Sequence, residues 1–366
     1  MTEGAPGIGA GTPPLPETRT RRRALWALGA ALALAVAILF SPVIGSVAFS
    51  PWLVLRIVIS GGGAIFAPCA AGTVSCHVAT IIVWQERVPE VLLAVVAGAA
   101  LGISGGTLQG IFRNPLADPY LLGISTGGTL GASLVFVYGI GEADANLVLP
   151  LFAFLGCVAT GGVILLAARG RYGSVETLLL TGVALNALLS SILTIVLLYN
   201  PIASLQVDFW LLGGLGNATW SVDGVALGVV LAVGAILAIH GRELNLMQLG
   251  NDVAQSAGVD VRRVRERLLL FTALATGTAV AFTGIIGFVG LAAPHVVRRV
   301  SSSNYRIVLP GAAIAGAAIL LGARDFSLWV LPLTPLPIGI FTSAGGAPFF
   351  LYLLYRRRRV TTMGGL

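Results

Sequence analysis

Long runs without a charged side chain recur along this chain, separated by short clusters of arginine, aspartate and glutamate. The runs cover 24–55, 91–112, 119–141, 145–168, 177–207, 224–241, 268–297, 307–323 and 326–355. A helix needs about 20 consecutive apolar residues to cross the hydrocarbon core of a bilayer, so each run predicts at least one span. The run 268–297 predicts two. Arg262, Arg263, Arg265 and Arg267 precede it and Arg298 and Arg299 follow it, and arginines close to a span stay on the cytoplasmic side. The chain must leave and return within this run, and Gly284 in "FTGIIGFVG" offers the reversal. Legs this short are tolerable only where protein covers the turn between them. The expected total is ten spans.

Composition agrees with the pattern. Apolar residues make up 56% of the chain, charged residues 10%, and the mean hydropathy is +0.93, whereas soluble domains carry about 25% charged residues. The expected class is all-α, a polytopic transmembrane helical bundle. With ten spans, 19 of the 22 basic residues fall on the cytoplasmic side, including Arg19 and Arg21–Arg23 at one end and Arg356–Arg359 at the other. Arg56, Arg87 and Arg324 fall outside. The net charge of +7 therefore reflects orientation in the membrane and not nucleic-acid binding.

Residues 1–18 are rich in glycine and proline and have no apolar core, which predicts disorder. The expected organisation is a disordered cytoplasmic tail over 1–23, a membrane domain over 24–357 and a cytoplasmic tail over 358–366. The first apolar run is too long for a signal-peptide core and no small-residue cleavage site follows it, so it is read as span one.

Every basic residue is arginine; lysine is absent. A P-loop needs a lysine to reach the β- and γ-phosphates, so this chain cannot hydrolyse ATP by that route. His77, His240 and His295 are far apart, and neither HExxH nor GxSxG occurs; no catalytic residue and no metal site is predicted. Cys69 and Cys76 lie in an expected external loop, where an oxidising compartment permits a disulfide. Capture of a metal or haem by Cys76 and His77 is the sharper alternative, although CxxCH is absent. Cys157 reads as a small packing residue.

One stretch breaks the apolar pattern. In "RNPLADPYLLGISTGGTLGA" (113–132), Pro115 and Pro119 stop the flanking helices, and Asn114 and Asp118 can bond backbone groups at the break. Gly123, Gly127, Gly128 and Gly131 then lie on or near one face and admit a neighbouring helix. Taken alone, the stretch is a tight turn followed by a packed helix.

The same stretch resembles the signature of the permease subunits of ATP-binding-cassette importers for iron-siderophores, haem and vitamin B12. Six further segments are similar and in the family's order: "RVPEVLLAVVAGAALGISGGTLQGIF" (87–112), "TLLLTGVALNALLSS" (177–191), "FWLLGGLGNATW" (209–220), "LGNDVAQSAGVDVRRVR" (249–265), "GIIGFVGLAAPHVVRR" (284–299) and "PLPIGIFTSAGGAPFFLYLL" (335–354). The resemblance covers about 25–357. It implies the ten-span permease fold of type II importers, embedded in the bacterial cytoplasmic membrane with both termini inside. It also implies a second permease subunit (a homodimer) with the pathway on the dimer axis, a cytoplasmic ATPase dimer and an extracytoplasmic binding protein. No cofactor is expected on the permease, ATP being used by the partner subunit. The implied cargo is an iron-siderophore, haem or corrinoid-type chelate.

The resemblance also assigns roles. Asp252, Ala254, Gln255 and Ala257, on a short amphipathic turn ended by Gly258, correspond to the helix that couples to the ATPase. Arg113, Asn114 and Pro115, with Ser174, Val175, Glu176 and Thr177, correspond to the cytoplasmic gate. Arg87 corresponds to an arginine that receives carboxylates of the binding protein. The family's second arginine there is replaced by Glu90, and Pro335 stands where the family has an acidic residue, so Arg324 is the candidate for a further external positive charge. An ion-coupled secondary transporter is the alternative reading. It needs ionisable residues inside the spans, and the spans hold almost none.

Overall fold

The computed structural model describes residues 16–61, 75–140, 145–169, 175–332 and 336–363, which leaves Cys69, Ser174 and Pro335 outside. Among the described residues the chain is helical throughout, with no strand. In chain order the helices are α1 (Pro16–Phe40), α2 (Pro51–Ile59), α3 (Ser75–Ile81), α4 (Val88–Phe112), α5 (Ile124–Tyr138), α6 (Ala145–Arg169), α7 (Val175–Leu198) and α8 (Pro201–Leu211). They continue with α9 (Trp220–Ile239), α10 (Gly241–Gln248), α11 (Asn251–Ser256), α12 (Val261–Thr283), α13 (Val289–Val300), α14 (Tyr305–Val330) and α15 (Ile338–Met363).

Each expected span has its helix: α1, α4, α5, α6, α7, α9, α12, α13, α14 and α15. Six stretches, 25–43, 77–112, 147–167, 176–198, 220–239 and 305–330, are long and apolar enough to cross a membrane unaided. The apolar parts of α5 and α15 are shorter, α13 has 12 residues, and α12 begins in a cluster of arginines.

Several boundaries differ from the expected ones, for local reasons. α1 opens at Pro16 and α15 runs to Met363, so 16–23 and 358–363, expected in the tails, are helical; both stretches are rich in arginine, a good helix former. The run 24–55 is interrupted after Phe40, where Pro42 stands in a 3₁₀ turn and Pro51 opens α2 at its first position. Pro201 divides 177–207 into α7 and α8, because it forces the preceding residue out of helical geometry. Helix α4 starts upstream of Val91: α3, a π-helical stretch over Ile82–Arg87 and α4 are continuous, and His77–Phe112 spans 36 residues. That is about 54 Å of helix against roughly 30 Å of hydrocarbon, so part of it stands outside the bilayer. There Val54 and Ile57 of α2, Ala79 of α3 and Val83 of the π-helical stretch form a small core of their own, mostly beyond the run 24–55 in a segment expected to be a loop.

α4 is the central helix, packed against α14, α12, α13 and α9. Glycines allow this. A Cβ on Gly102 would lie 2.0 Å from the Ala312 carbonyl oxygen, and one on Gly105 would lie 1.8 Å from that of Gly290. Helices in a bilayer associate through such close packing because lipid supplies no hydrophobic drive between them. α5 meets α6 in the same way, with Gly127 and Gly131 against Gly156 and Phe152 and Gly128 against the Cys157 sulfur. Gly123 does a different job: at φ 72° it bends the chain into α5. Cys157 is fully buried, as a packing residue should be.

Contacts along α4 give the direction of its neighbours. Tyr305 lies against Gly110 and Arg324 reaches Glu90, so α14 is antiparallel to α4. Gly290 lies at Gly105 and Arg298 at Gln109, so α13 runs with α4. α12 starts with Arg265 near Arg113 at the end of α4, so it runs against α4. The chain therefore reverses within 268–297. Gly284 and Phe288 both have φ of 68° at the reversal, and Ile286 between them is fully buried, which is the protein cover such a turn needs.

Candidate functional site

At the end of the bundle where α4 stops, the 113–123 turn is built by its own side chains. Arg113 ends α4 in the left-handed region (φ 49°). Asn114 Oδ1 accepts from the Leu116 N–H at 2.9 Å, and Asp118 Oδ1 accepts from the Tyr120 N–H at 2.9 Å. The Tyr120 hydroxyl donates to the Ile286 carbonyl at 2.9 Å and accepts from the Ile286 N–H at 3.1 Å. This clamps the turn to the reversal between α12 and α13. Pro115 lines a small pocket with Phe288, Leu291, His295 and Phe349, and the His295 ring stands edge-on to Phe349 at 6.2 Å.

Burial pushes the Asp118 carboxyl up to about 6, against the opposing pull of the Tyr120 N–H. Its unfolded value is about 3.9, so its contribution to stability is greatest below that pH and is lost as pH rises through 6. Asp118→Asn keeps the amide oxygen as acceptor and removes the charge. Thermal unfolding in detergent should show the variant matching wild type at low pH and exceeding it above about 6. A variant less stable than wild type on both sides of that pH would refute the assignment.

The second expected gate segment begins α7. Glu176 is exposed and Thr177 half-buried. α7 lies along the 119–122 turn, where a Cβ on Gly182 would be 2.9 Å from the Leu121 carbonyl oxygen. The contact joins α7 to the turn that follows Arg113, Asn114 and Pro115 in the chain.

Helices α10 and α11 cover the same end. Gln248 Nε2 donates to the Gly110 carbonyl at 2.8 Å, Asn245 accepts from the Tyr305 N–H at 2.9 Å, and the Arg113 guanidinium donates to Asn251 Oδ1. Asp252, Gln255, Ala257 and Gly258 are exposed. Ala254 is not: it is fully buried and anchors α11 to the bundle, so it cannot face a partner. Val253, which the amphipathic reading missed, is 45% exposed in its place. Gly258 has φ 83° and stops the helix.

At the opposite end Arg87 and Arg324, expected to dock a binding protein, are both bonded inside the fold. Arg87 is buried, donates to the carbonyls of Pro42, Val43 and Val47, and stacks on the Phe49 ring at 5.1 Å. Arg324 is 2% exposed. It pairs with Glu90 and Asp325 at 2.9 Å each and donates to Ser41. Guanidiniums bonded inside the fold are not free to receive a binding protein's carboxylates. The Glu90 that interrupts the expected arginine pair is the partner of Arg324. Beside this ion pair lies a cavity of about 280 Å³ bounded by Phe209, Gly213–Gly216 and Leu336–Ile338.

α7 stands apart from the rest. It is long and apolar enough to span a membrane, yet almost none of it is buried. Its exposed residues include Asn186, Ser190, Ser191 and Thr194. α8 and the residue pair before it continue the surface with Tyr199, Ile202, Leu205 and Phe209, all exposed. Cys76 is the second residue of α3, and with Cys69 outside the described residues neither a disulfide nor a Cys76–His77 site is described. No group of three or more side chains suited to a metal occurs among the described residues.

Residues 33–356 match the model of the FecCD transport family. The chain is similar to the hemin transport system permease protein HmuU of Yersinia pestis, 40% identical over 280 residues that cover 75% of this chain and 84% of that protein. It is similar to the cobalamin import system permease protein BtuC of Halobacterium salinarum, 38% identical over 312 residues covering 84% of this chain and 80% of that one. Among solved structures it resembles an ABC transporter assigned to the metal-chelate type, in an inward-facing conformation, with a TM-score of 0.71 and 27% identity over 83% of this chain and 98% of the other.

Proposed function

The chain belongs to the FecCD transport family, and from that premise we propose that it is the permease subunit of an ATP-driven importer moving a bulky metal chelate or corrinoid across the cytoplasmic membrane. The single observation that carries the reading is the exposed face of α7. Asn186, Ser190, Ser191 and Thr194 sit along a helix with the composition of a membrane span. Ser191 and Thr194 donate to the Ala187 and Ser190 carbonyls of their own helix and Asn186 accepts from Thr126, and a small polar face of this kind on a span favours protein contact over lipid. A second copy of the chain facing α7 and α8 supplies that contact, with the pathway between the copies. Tyr199 and Phe209 on the same surface suit a large, partly apolar cargo. The haem and cobalamin permeases among its relatives, and the metal-chelate type of the solved neighbour, support that cargo class.

In this reading both termini are cytoplasmic, and α11 seats in the ATPase. The turn at Arg113–Pro115 and the segment Ser174–Thr177 close the inner end of the pathway, and a separate binding protein delivers cargo at the outer end. The chain carries no lysine for a P-loop, so the energy enters through the partner subunit. Vesicles holding the permease, its ATPase and its binding protein are expected to accumulate haem, cobalamin or a ferric siderophore only with ATP. Equal uptake after inactivation of the ATPase would overturn the proposal, and the cargo that is retained names the substrate.

A further inference from the structure

We propose that Arg113 takes a carboxylate of the ATP-hydrolysing partner, so that the interface for that subunit spreads from α11 onto the turn that closes α4. The inference rests on the reading of α11 as the coupling helix.

Arg113 is held in an unusual place. Its left-handed backbone is a conformation that residues other than glycine seldom adopt, and it aims the guanidinium along the surface to Asn251, the first residue of α11. The acceptor there is a neutral amide oxygen. Arg262 pairs with Glu266 at 3.1 Å and Arg263 with Asp260 at 3.0 Å, while Arg242, Arg267, Arg299 and Arg306 are exposed and, among the described residues, form no ion pair; Arg113 differs from these four in bonding to α11. Arg298 turns inward to Gln109 and the Tyr305 ring. Arg113 is exposed and forms no ion pair among the described residues.

Its neighbour strengthens the local positive field. Burial, and then the charge of Arg113, lower the pKa of the Arg265 guanidinium. Two cations held this close repel each other and favour an anion that completes the site. A planar guanidinium with free N–H groups receives a carboxylate best, often through two parallel bonds. The site borders the exposed side of α11, so an acidic side chain on the surface that receives α11 is within its reach. The consequence is mechanical. Arg113 leads directly into Asn114 and Pro115, so a partner that pulls on it moves the gate turn in one step.

The test uses the full permease and the ATPase subunit that copurifies with it in detergent. At low salt Arg113→Glu should retain at least about tenfold less ATPase per permease, a difference of about 1.4 kcal/mol in association. Arg113→Ala should fall between that and wild type and lose part of the salt dependence that screening gives the wild-type complex; Arg113→Lys should retain more than Arg113→Ala. Arg299→Glu makes the same charge change on an exposed arginine of α13 and should retain the ATPase. Each variant is compared as monodisperse protein. Wild-type retention by Arg113→Glu, or a loss by Arg299→Glu as large as that of Arg113→Glu, overturns the inference. Gln255→Trp separates the two levels of the argument. It adds bulk on the exposed side of α11 and should lower retention by itself. If it does and Arg113→Glu does not, only this inference fails; if neither does, the coupling role of α11 fails as well.

Discussion

Gly102→Leu should leave almost no folded permease in the membrane. An added Cβ at this position lies 2.0 Å from the Ala312 oxygen, 2.8 Å from its carbonyl carbon and 3.3 Å from the Gly316 Cα. All three are backbone atoms, so no side chain can rotate away. The contact is mutual: a Cβ on Gly316 would stand 2.1 Å from the Gly98 oxygen. Extra methylenes in a packed core usually cost about 1–3 kcal/mol because side chains shift. Here α4 and α14 must separate as rigid bodies, and the cost is expected to exceed about 3 kcal/mol. The check is the yield and thermal midpoint of detergent-extracted protein. Gly322→Leu, on the same helix α14 but with no atom within 4 Å of the new Cβ, controls for the added bulk. Normal, monodisperse Gly102→Leu protein would show that the close α4–α14 seam is not what holds the bundle.

Arg324→Leu is expected to be the next most damaging change. The guanidinium side chain is 3% exposed; it neutralises Glu90 and Asp325 and donates to Ser41, with its Nε left buried and unbonded. Removing one member of a buried pair leaves the others uncompensated and costs about 3–5 kcal/mol. The partial exposure of Glu90 and Asp325, 33% and 20%, places the expectation at the low end, about 3 kcal/mol. Glu90→Leu should cost less, because Asp325 still faces the arginine. The double variant Glu90→Leu with Arg324→Leu should recover part of the loss, since Asp325 keeps the 2.6 Å hydrogen bond from Ser41. A double-mutant cycle on thermal stability measures the coupling. Strict additivity of the two changes would refute the pairing and reopen Arg324 as a residue for an external partner.

That pairing also shows where sequence reading stops. Arg87, Glu90 and Arg324 were legible as charges at the outer end of the bundle, and the family motif lent the arginines a docking role. Whether a charge is free depends on what stands beside it, and Glu90 meets Arg324 across 234 residues of sequence. Ala254 misled for a related reason. A six-residue helix has too few turns for its pattern to tell the face that anchors from the face that is offered, and Val253 occupies the exposed position. The stretch 57–85 carries no charge, but its glycines and cysteines read as loop. Its short helices bury Ala79 and Val83 against Val54 and Ile57 of α2, a contact between segments that the run of residues does not display.

The spans behaved differently. The apolar runs located ten helices, arginines on both flanks predicted the reversal within 268–297, and "RNPLADPY" predicted both the break and the Asn114 and Asp118 bonds that shape it. These features follow from sequence alone because the transfer of a residue into lipid and the geometry of proline, asparagine and glycine are local properties that add along the chain. Tertiary structure decided the rest: which glycines meet a backbone, which arginines have partners, and which face of α7 is left uncovered. Those depend on pairwise contacts between residues far apart in sequence, and their energies do not exist until the helices pack.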